Sequence, residues 1–103
     1  MINSHLETFV LVADEGSFSK AAERLYISTT AVIKQINTLE GSTALKLFNR
    51  SFKGVSLTES GKSLYSDAKY IIKYMNDSIK RAENAMNSED SMIRVGISIM
   101  TPS

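Results

Sequence analysis

The 103 residues contain no cysteine, which excludes a disulfide scaffold and a thiolate metal site. There is a single histidine, His5. One ring cannot form a histidine cluster for zinc, so His5 reads as a surface or half-buried side chain near the start of the first helix. No apolar run approaches the length of a membrane span, and Met1 is not followed by a basic and then apolar signal segment. The expected compartment is the cytoplasm, with no membrane partner. No nucleophile is paired with a base, no glycine-rich loop suits a phosphate, and the acids are scattered among basic neighbours. Neither an enzyme nor a bound cofactor is expected.

A large excess of charge is also missing, the net charge being +1. Its distribution is uneven. Residues 1–16 carry three acids and no Lys or Arg, whereas residues 17–62 carry seven Lys or Arg against three Glu, a net +4. Residues 63–103 carry five charges of each sign. A confined positive segment bears on nucleic-acid binding when it coincides with a structural motif.

Such a motif lies within it. Residues 17–40, SFSKAAERLYISTTAVIKQINTLE, read as a short helix over about 19–25, a tight turn, and a second helix from near Ser28 to about Glu40. Val32, Ile36 and Leu39 recur at helical spacing on an inward face. The small Ala21 and Ala22 allow a close, steep helix crossing, as a DNA-reading helix-turn-helix requires. Ser17 or Ser19 caps the shorter helix and Ser28 the longer, and Gly41 reads as the stop of the latter. Before them, residues 3–15 form a helix with the stripe Leu6, Phe9, Val10 and Ala13, ended by Gly16. Phe18 is expected to plug the core.

After the motif, Thr43 to Phe48 reads as a turn into a strand. Residues 47–58, LFNRSFKGVSLT, read as a small hairpin with Lys53 and Gly54 at its turn and Val55 and Leu57 alternating on the second strand. A basic hairpin after a helix-turn-helix is a wing, whose tip is expected to carry Arg50 and Lys53 towards a phosphate backbone or minor groove. Thr58 and Glu59 open a long helix reaching about Ser88, with Gly61 in its first turn, where glycine costs least. Leu64, Ala68, Ile71, Met75, Ile79, Ala82 and Met86 make an a/d-type seam, with Ile72 beside it, for which a second copy is the simplest partner. Residues 92–101 alternate as a strand and are expected to begin a further domain with a sheet.

The chain resembles the N-terminal winged-helix domain of LysR-type transcriptional regulators. The carrying residues are Leu6, Phe9 and Val12, then EGSFSKAAERL from Glu15 to Leu25, Ile27-Ser28, Ala31, Lys34-Gln35-Ile36 and Leu39-Glu40. Leu47-Phe48 with Arg50, and Leu57-Thr58-Glu59-Ser60-Gly61, complete the pattern. The resemblance implies a mainly α fold, a three-helix core with a hairpin wing followed by a long helix. Residues 1–60 would be the DNA-binding domain, 61–89 the linker and dimerisation helix, and 90–103 the start of an effector-binding domain. It further implies a bacterial homodimer that sets two recognition helices in successive major grooves of double-stranded DNA. Any small-molecule effector would bind only in the C-terminal domain. The chain departs from the family pattern at Thr29-Thr30, where Gln-Pro or Gln-Ser is usual, at Ile33 for a serine, and at Thr43-Ala44 for leucine-glycine. Tyr26 occupies a turn position where glycine or asparagine would ease a left-handed backbone.

Thr29, Thr30 and Lys34 lie opposite the inward face and are the candidates for base contact, with helix capping the alternative for the two threonines. Gln35 either reaches a base or stays against the domain. Ser17, Ser19 and Ser28 suit phosphate contact or capping, and Lys20, Arg50 and Lys53 suit phosphates, Lys53 also the minor groove. Two other readings remain at this point: another winged-helix regulator, molybdate-responsive or MarR-like, and a winged helix that binds only proteins.

Overall fold

The computed structural model describes residues 2–94, with side-chain environments for residues 4–87. The elements run α1 (Ile2–Glu15), α2 (Phe18–Leu25), α3 (Thr29–Thr43), β1 (Phe48–Ser51), β2 (Gly54–Leu57) and α4 (Glu59–Arg94). The chain divides into two compact units, the first ending at Ile72 and the second beginning at Lys73.

The first unit is built on one apolar core. Leu6, Phe9 and Val12 of α1, Ala21 and Ala22 of α2, and Val32, Ile36 and Leu39 of α3 are all buried. Val12 belongs to the α1 face as fully as Phe9 does, while Val10 and Ala13 are only partly covered. Leu47 and Phe48 close the core from the foot of the wing. The Phe9 and Phe48 rings lie 5.4 Å apart, and Phe18 meets Phe48 edge-on at 6.2 Å; such pairs contribute about 0.5–1.5 kcal/mol each beyond their buried area. Phe18 is thus the expected plug, partly buried against the core.

Local chemistry sets the helix ends. Ser17 accepts the Lys20 N–H at 3.2 Å and Ser28 accepts the Ala31 N–H at 3.0 Å, so these two serines are the N-caps. At the end of α2, Tyr26 takes the left-handed conformation, and Ile27 N–H reaches back to the Ala22 carbonyl at 3.1 Å, a Schellman closure. The end of α3 corrects the sequence expectation. Gly41 lies inside the helix, which runs to Thr43 and closes at Ala44 with φ 58°. The Thr43 hydroxyl, donating to the Leu39 carbonyl at 2.8 Å, supports this last turn.

The wing is a two-stranded antiparallel sheet in which Phe48 pairs with Leu57, Arg50 with Val55 and Ser51 with Gly54. Its two-residue turn is Phe52-Lys53, so Gly54 is the first residue of β2 and not part of the turn. Gly61 is required by close approach and not merely tolerated in a first turn. A Cβ there would collide with the Leu47 carbonyl oxygen.

The helix α4 runs past Ser88 to Arg94, so Met92, Ile93 and Arg94 are helical where a strand was expected; residues 95–101 of that expected strand lie outside the described residues. In the first unit Ala68 is fully buried, and Leu64, Tyr65 and Ile72 pack on the core. This is why the unit reaches Ile72 and does not stop at residue 60. In the second unit Lys73 pairs with Asp77 at 2.9 Å. That hydrogen bond and the ammonium charge hold the Asp77 carboxyl below its ordinary value. Among the described residues no helix is long and apolar enough to cross a membrane.

Candidate nucleic-acid interface

The face of α3 opposite Val32, Ile36 and Leu39 is polar and open. Thr29, Thr30, Lys34 and Asn37 are all exposed. Because Ser28 supplies the cap, the capping alternative does not claim either threonine hydroxyl. Ser28 and Ser17 are themselves engaged as caps, and Ser19 lies 3.0 Å from Ser17, oxygen to oxygen. Gln35 stays against the domain: buried Thr8 of α1 donates to its Oε1 at 2.6 Å. This bond fixes the roll of α3 on α1 and leaves the Gln35 amide hydrogens as its remaining polar offer.

Arg50 corrects an expectation. It sits on β1 opposite Val55, two residues before the turn, and is not at the wing tip. Its Nη2 donates to Asn37 Oδ1 at 2.8 Å and to Glu40 Oε1 at 3.1 Å, and its Cζ lies 5.1 Å from the Phe18 ring centroid. A carboxylate and an aromatic face draw the guanidinium back onto α3. Glu40 also accepts the Leu47 and Phe48 N–H groups. Neither Asn37 nor Glu40 was singled out as a site residue; both depend on the wing folding back over α3, which no local pattern announces.

The wing tip carries Lys53, exposed, and Phe52, 97% exposed. The second strand is pinned next to that turn, since Val55 N–H donates to the Gly16 carbonyl at 3.2 Å. At Gly54, φ is +131° and a Cβ would fall 2.6 Å from the Gly16 oxygen, so only glycine fits. Arg24 pairs with Glu15, Arg50 with Glu40 and Lys62 with Glu59. Among the described residues, Lys20, Lys34, Lys46 and Lys53 therefore supply the unpaired positive charge of this segment. No group of three His, Asp or Glu able to hold a metal occurs among the described residues.

The expected seam of α4 divides. Ala68 has no accessible surface, and Leu64 and Ile72 are drawn onto the core, so Ala68 cannot meet a second copy. Ile71, Met75, Ile79, Ala82 and Met86 remain exposed, as do Tyr70 and Tyr74, which the apolar spacing did not mark.

Residues 4–62 match the family model described as bacterial regulatory helix-turn-helix protein, lysR family. The chain is 36% identical over 90 residues to the HTH-type transcriptional regulator TfdT of Cupriavidus pinatubonensis, covering 87% of this chain and 40% of that protein. It is 41% identical over 86 residues to a regulator in the ibpB-leuC intergenic region of Azotobacter vinelandii, covering 84% of this chain and 59% of that one. The chain thus spans less than two thirds of the length of each of these relatives. Among solved structures, the CbnR DNA-binding domain in complex with DNA superposes with a TM-score of 0.81 at 31% identity, over 84% of this chain and 99% of that one. The BenM DNA-binding domain on catB site 1 DNA gives 0.80 at 29%, over 84% and 97%.

Proposed function

Because the chain belongs to the lysR family of bacterial regulatory helix-turn-helix proteins and carries the winged DNA-binding domain of such a regulator, we propose that it reads double-stranded DNA through α3. The helix lies in the major groove with Thr29, Thr30 and Lys34 at base edges. Lys20 and Lys53 meet phosphates, and the wing tip rests on the backbone or in the minor groove. The observation that carries this reading is the two-faced α3: Val32, Ile36 and Leu39 are buried, and the opposite face is exposed, polar and basic.

The working unit in this reading is a homodimer joined through the exposed apolar residues of α4, Ile71, Met75, Ile79, Ala82 and Met86. Residues 1–72 form the reading head, and a small-molecule effector acts on a C-terminal domain of a longer, cytoplasmic protein.

Gel retardation with a random-sequence duplex at low salt tests the reading. The expected result is a retarded complex whose affinity falls linearly in log–log terms as salt rises. A chain that leaves the duplex unshifted is instead a protein-interaction module. On a selected site, Thr29→Ala should relax preference at one or two base pairs at a cost of about 1–3 kcal/mol; an unchanged ranking of sites removes Thr29 from the reading set.

A further inference from the structure

Successive helical residues turn by about 100°, which places Thr30, Lys34 and Asn37 within about 60° of one another on α3. All three are exposed. Asn37 differs from the other two in being held. A guanidinium can only donate, so the amide atom that faces Arg50 Nη2 at 2.8 Å is the oxygen. Arg50 is itself held by Glu40 at 3.1 Å and by the Phe18 ring. The Asn37 amide is therefore oriented with its oxygen turned to the wing and its two hydrogens left to offer.

We infer that Asn37 is a further DNA-contacting residue, fixed by Arg50 so that it donates its amide hydrogens to a DNA phosphate. The inference rests on the DNA-binding reading above. An asparagine that reads adenine needs both its oxygen and its nitrogen at the base edge. Here the oxygen is already engaged, so that bidentate contact is closed to it. Position along the helix points the same way. Base edges are met by the N-terminal residues of a recognition helix. Asn37 stands two turns beyond Thr30, about 10 Å along the axis, beside the strand of the wing to which it is bonded. A donor at that place meets the backbone as the helix leaves the groove. Arg50 is then a positioning residue acting through Asn37, its own charge matched by Glu40.

The test is selection of bound duplexes from a random-sequence pool, followed by affinity measurements on the recovered duplex, for wild type, Asn37→Ala and Asn37→Asp. The aspartate keeps an acceptor for Arg50 and offers no hydrogen. A wild-type chain that retains no duplex overturns the DNA reading and this inference with it. A wild-type chain that binds confines every later result to Asn37. The expected result is the same enriched motif for all three proteins, with Asn37→Ala weaker by about 3- to 10-fold, the range of one hydrogen bond. Asn37→Asp should be weaker still, although its thermal midpoint matches wild type. Unchanged affinity, or a motif altered at one base pair, overturns the phosphate assignment. In a double-mutant cycle, Asn37→Ala should cost less in an Arg50→Met background; an equal cost in both backgrounds overturns the positioning role of Arg50.

Discussion

Glu40 Oε2 accepts the Leu47 backbone N–H at 2.8 Å and the Phe48 N–H at 3.3 Å. Both donors belong to residues with no exposed surface. One carboxylate thus provides for the backbone where the chain leaves α3 and enters the wing, and its second oxygen holds Arg50. Glu40→Ala should strand two N–H groups and lower stability by about 2–4 kcal/mol in urea unfolding. Glu40→Gln keeps an acceptor and should lose less than half as much. Equal losses for the two variants would assign the effect to charge alone.

The Tyr65 hydroxyl donates to Asp14 Oδ1, joining α4 to α1 within the first unit. That bond, together with burial and the carboxylate charge, raises the Tyr65 pKa above the ordinary tyrosine value of 10.0. The folded state therefore favours the protonated phenol. Its contribution to stability is complete below the ordinary value and is lost as pH rises through the raised one. Stability of the wild type should fall more steeply above pH 10 than that of Tyr65→Phe. Superimposable alkaline profiles would show that the bond has no thermodynamic weight.

Two residues other than glycine close helices in the left-handed region, Tyr26 at φ 57° and Ala44 at φ 58°. That conformation costs an L-residue about 1–2 kcal/mol. Ala44→Gly should raise stability by about 0.5–1 kcal/mol after the added freedom of the unfolded chain is counted. Tyr26→Asn should act in the same direction, because the ring is 95% exposed and its removal uncovers nothing. Thermal midpoints that fall in both variants would mean these side chains hold contacts that outweigh the strain.

The exposed positions of α4 separate assembly from folding. Met75→Lys and Ile79→Lys should yield folded monomers in sedimentation, with weaker retention of duplex. Ile72→Lys should unfold the first unit as well, since Ile72 packs against its core. Dimers that persist in the first two variants would place the seam elsewhere.

The sequence made the inward face of α3 legible, because three apolar residues at helical spacing admit one burial pattern. The Ser28 cap was equally plain, since its chemistry acts within three residues, whereas the cap of α2 stayed open between Ser17 and Ser19 until the structure placed it at Ser17. The departure at Tyr26 also announced its left-handed turn. Position 44 was visible as a departure only. There, alanine stands where glycine is usual and still takes the left-handed backbone. What local pattern could not supply was tertiary. The place of Arg50 depends on a carboxylate ten residues earlier and on the Phe18 ring. Gly41 looked like a stop, yet nothing lies within 4 Å of a Cβ built there, and the helix simply continues. Gly61 looked incidental, and the approaching Leu47 carbonyl makes it necessary. In α4 one apolar period covers two duties, core packing by Leu64, Ala68 and Ile72 and an open surface from Ile71 onward on the other side, and spacing alone does not divide them.

The wing is fastened right beside its turn and bare at the turn itself. The Gly54–Gly16 approach and the Val55 N–H bond hold the first two residues of β2, directly after the turn, while Phe52 in the turn itself touches almost nothing. Mutation can therefore exchange the two apical side chains, and so retune grip on a binding site, without renegotiating the scaffold. A length change in the strands beside the turn has no such freedom, so divergence in this hairpin should accumulate at the two turn residues.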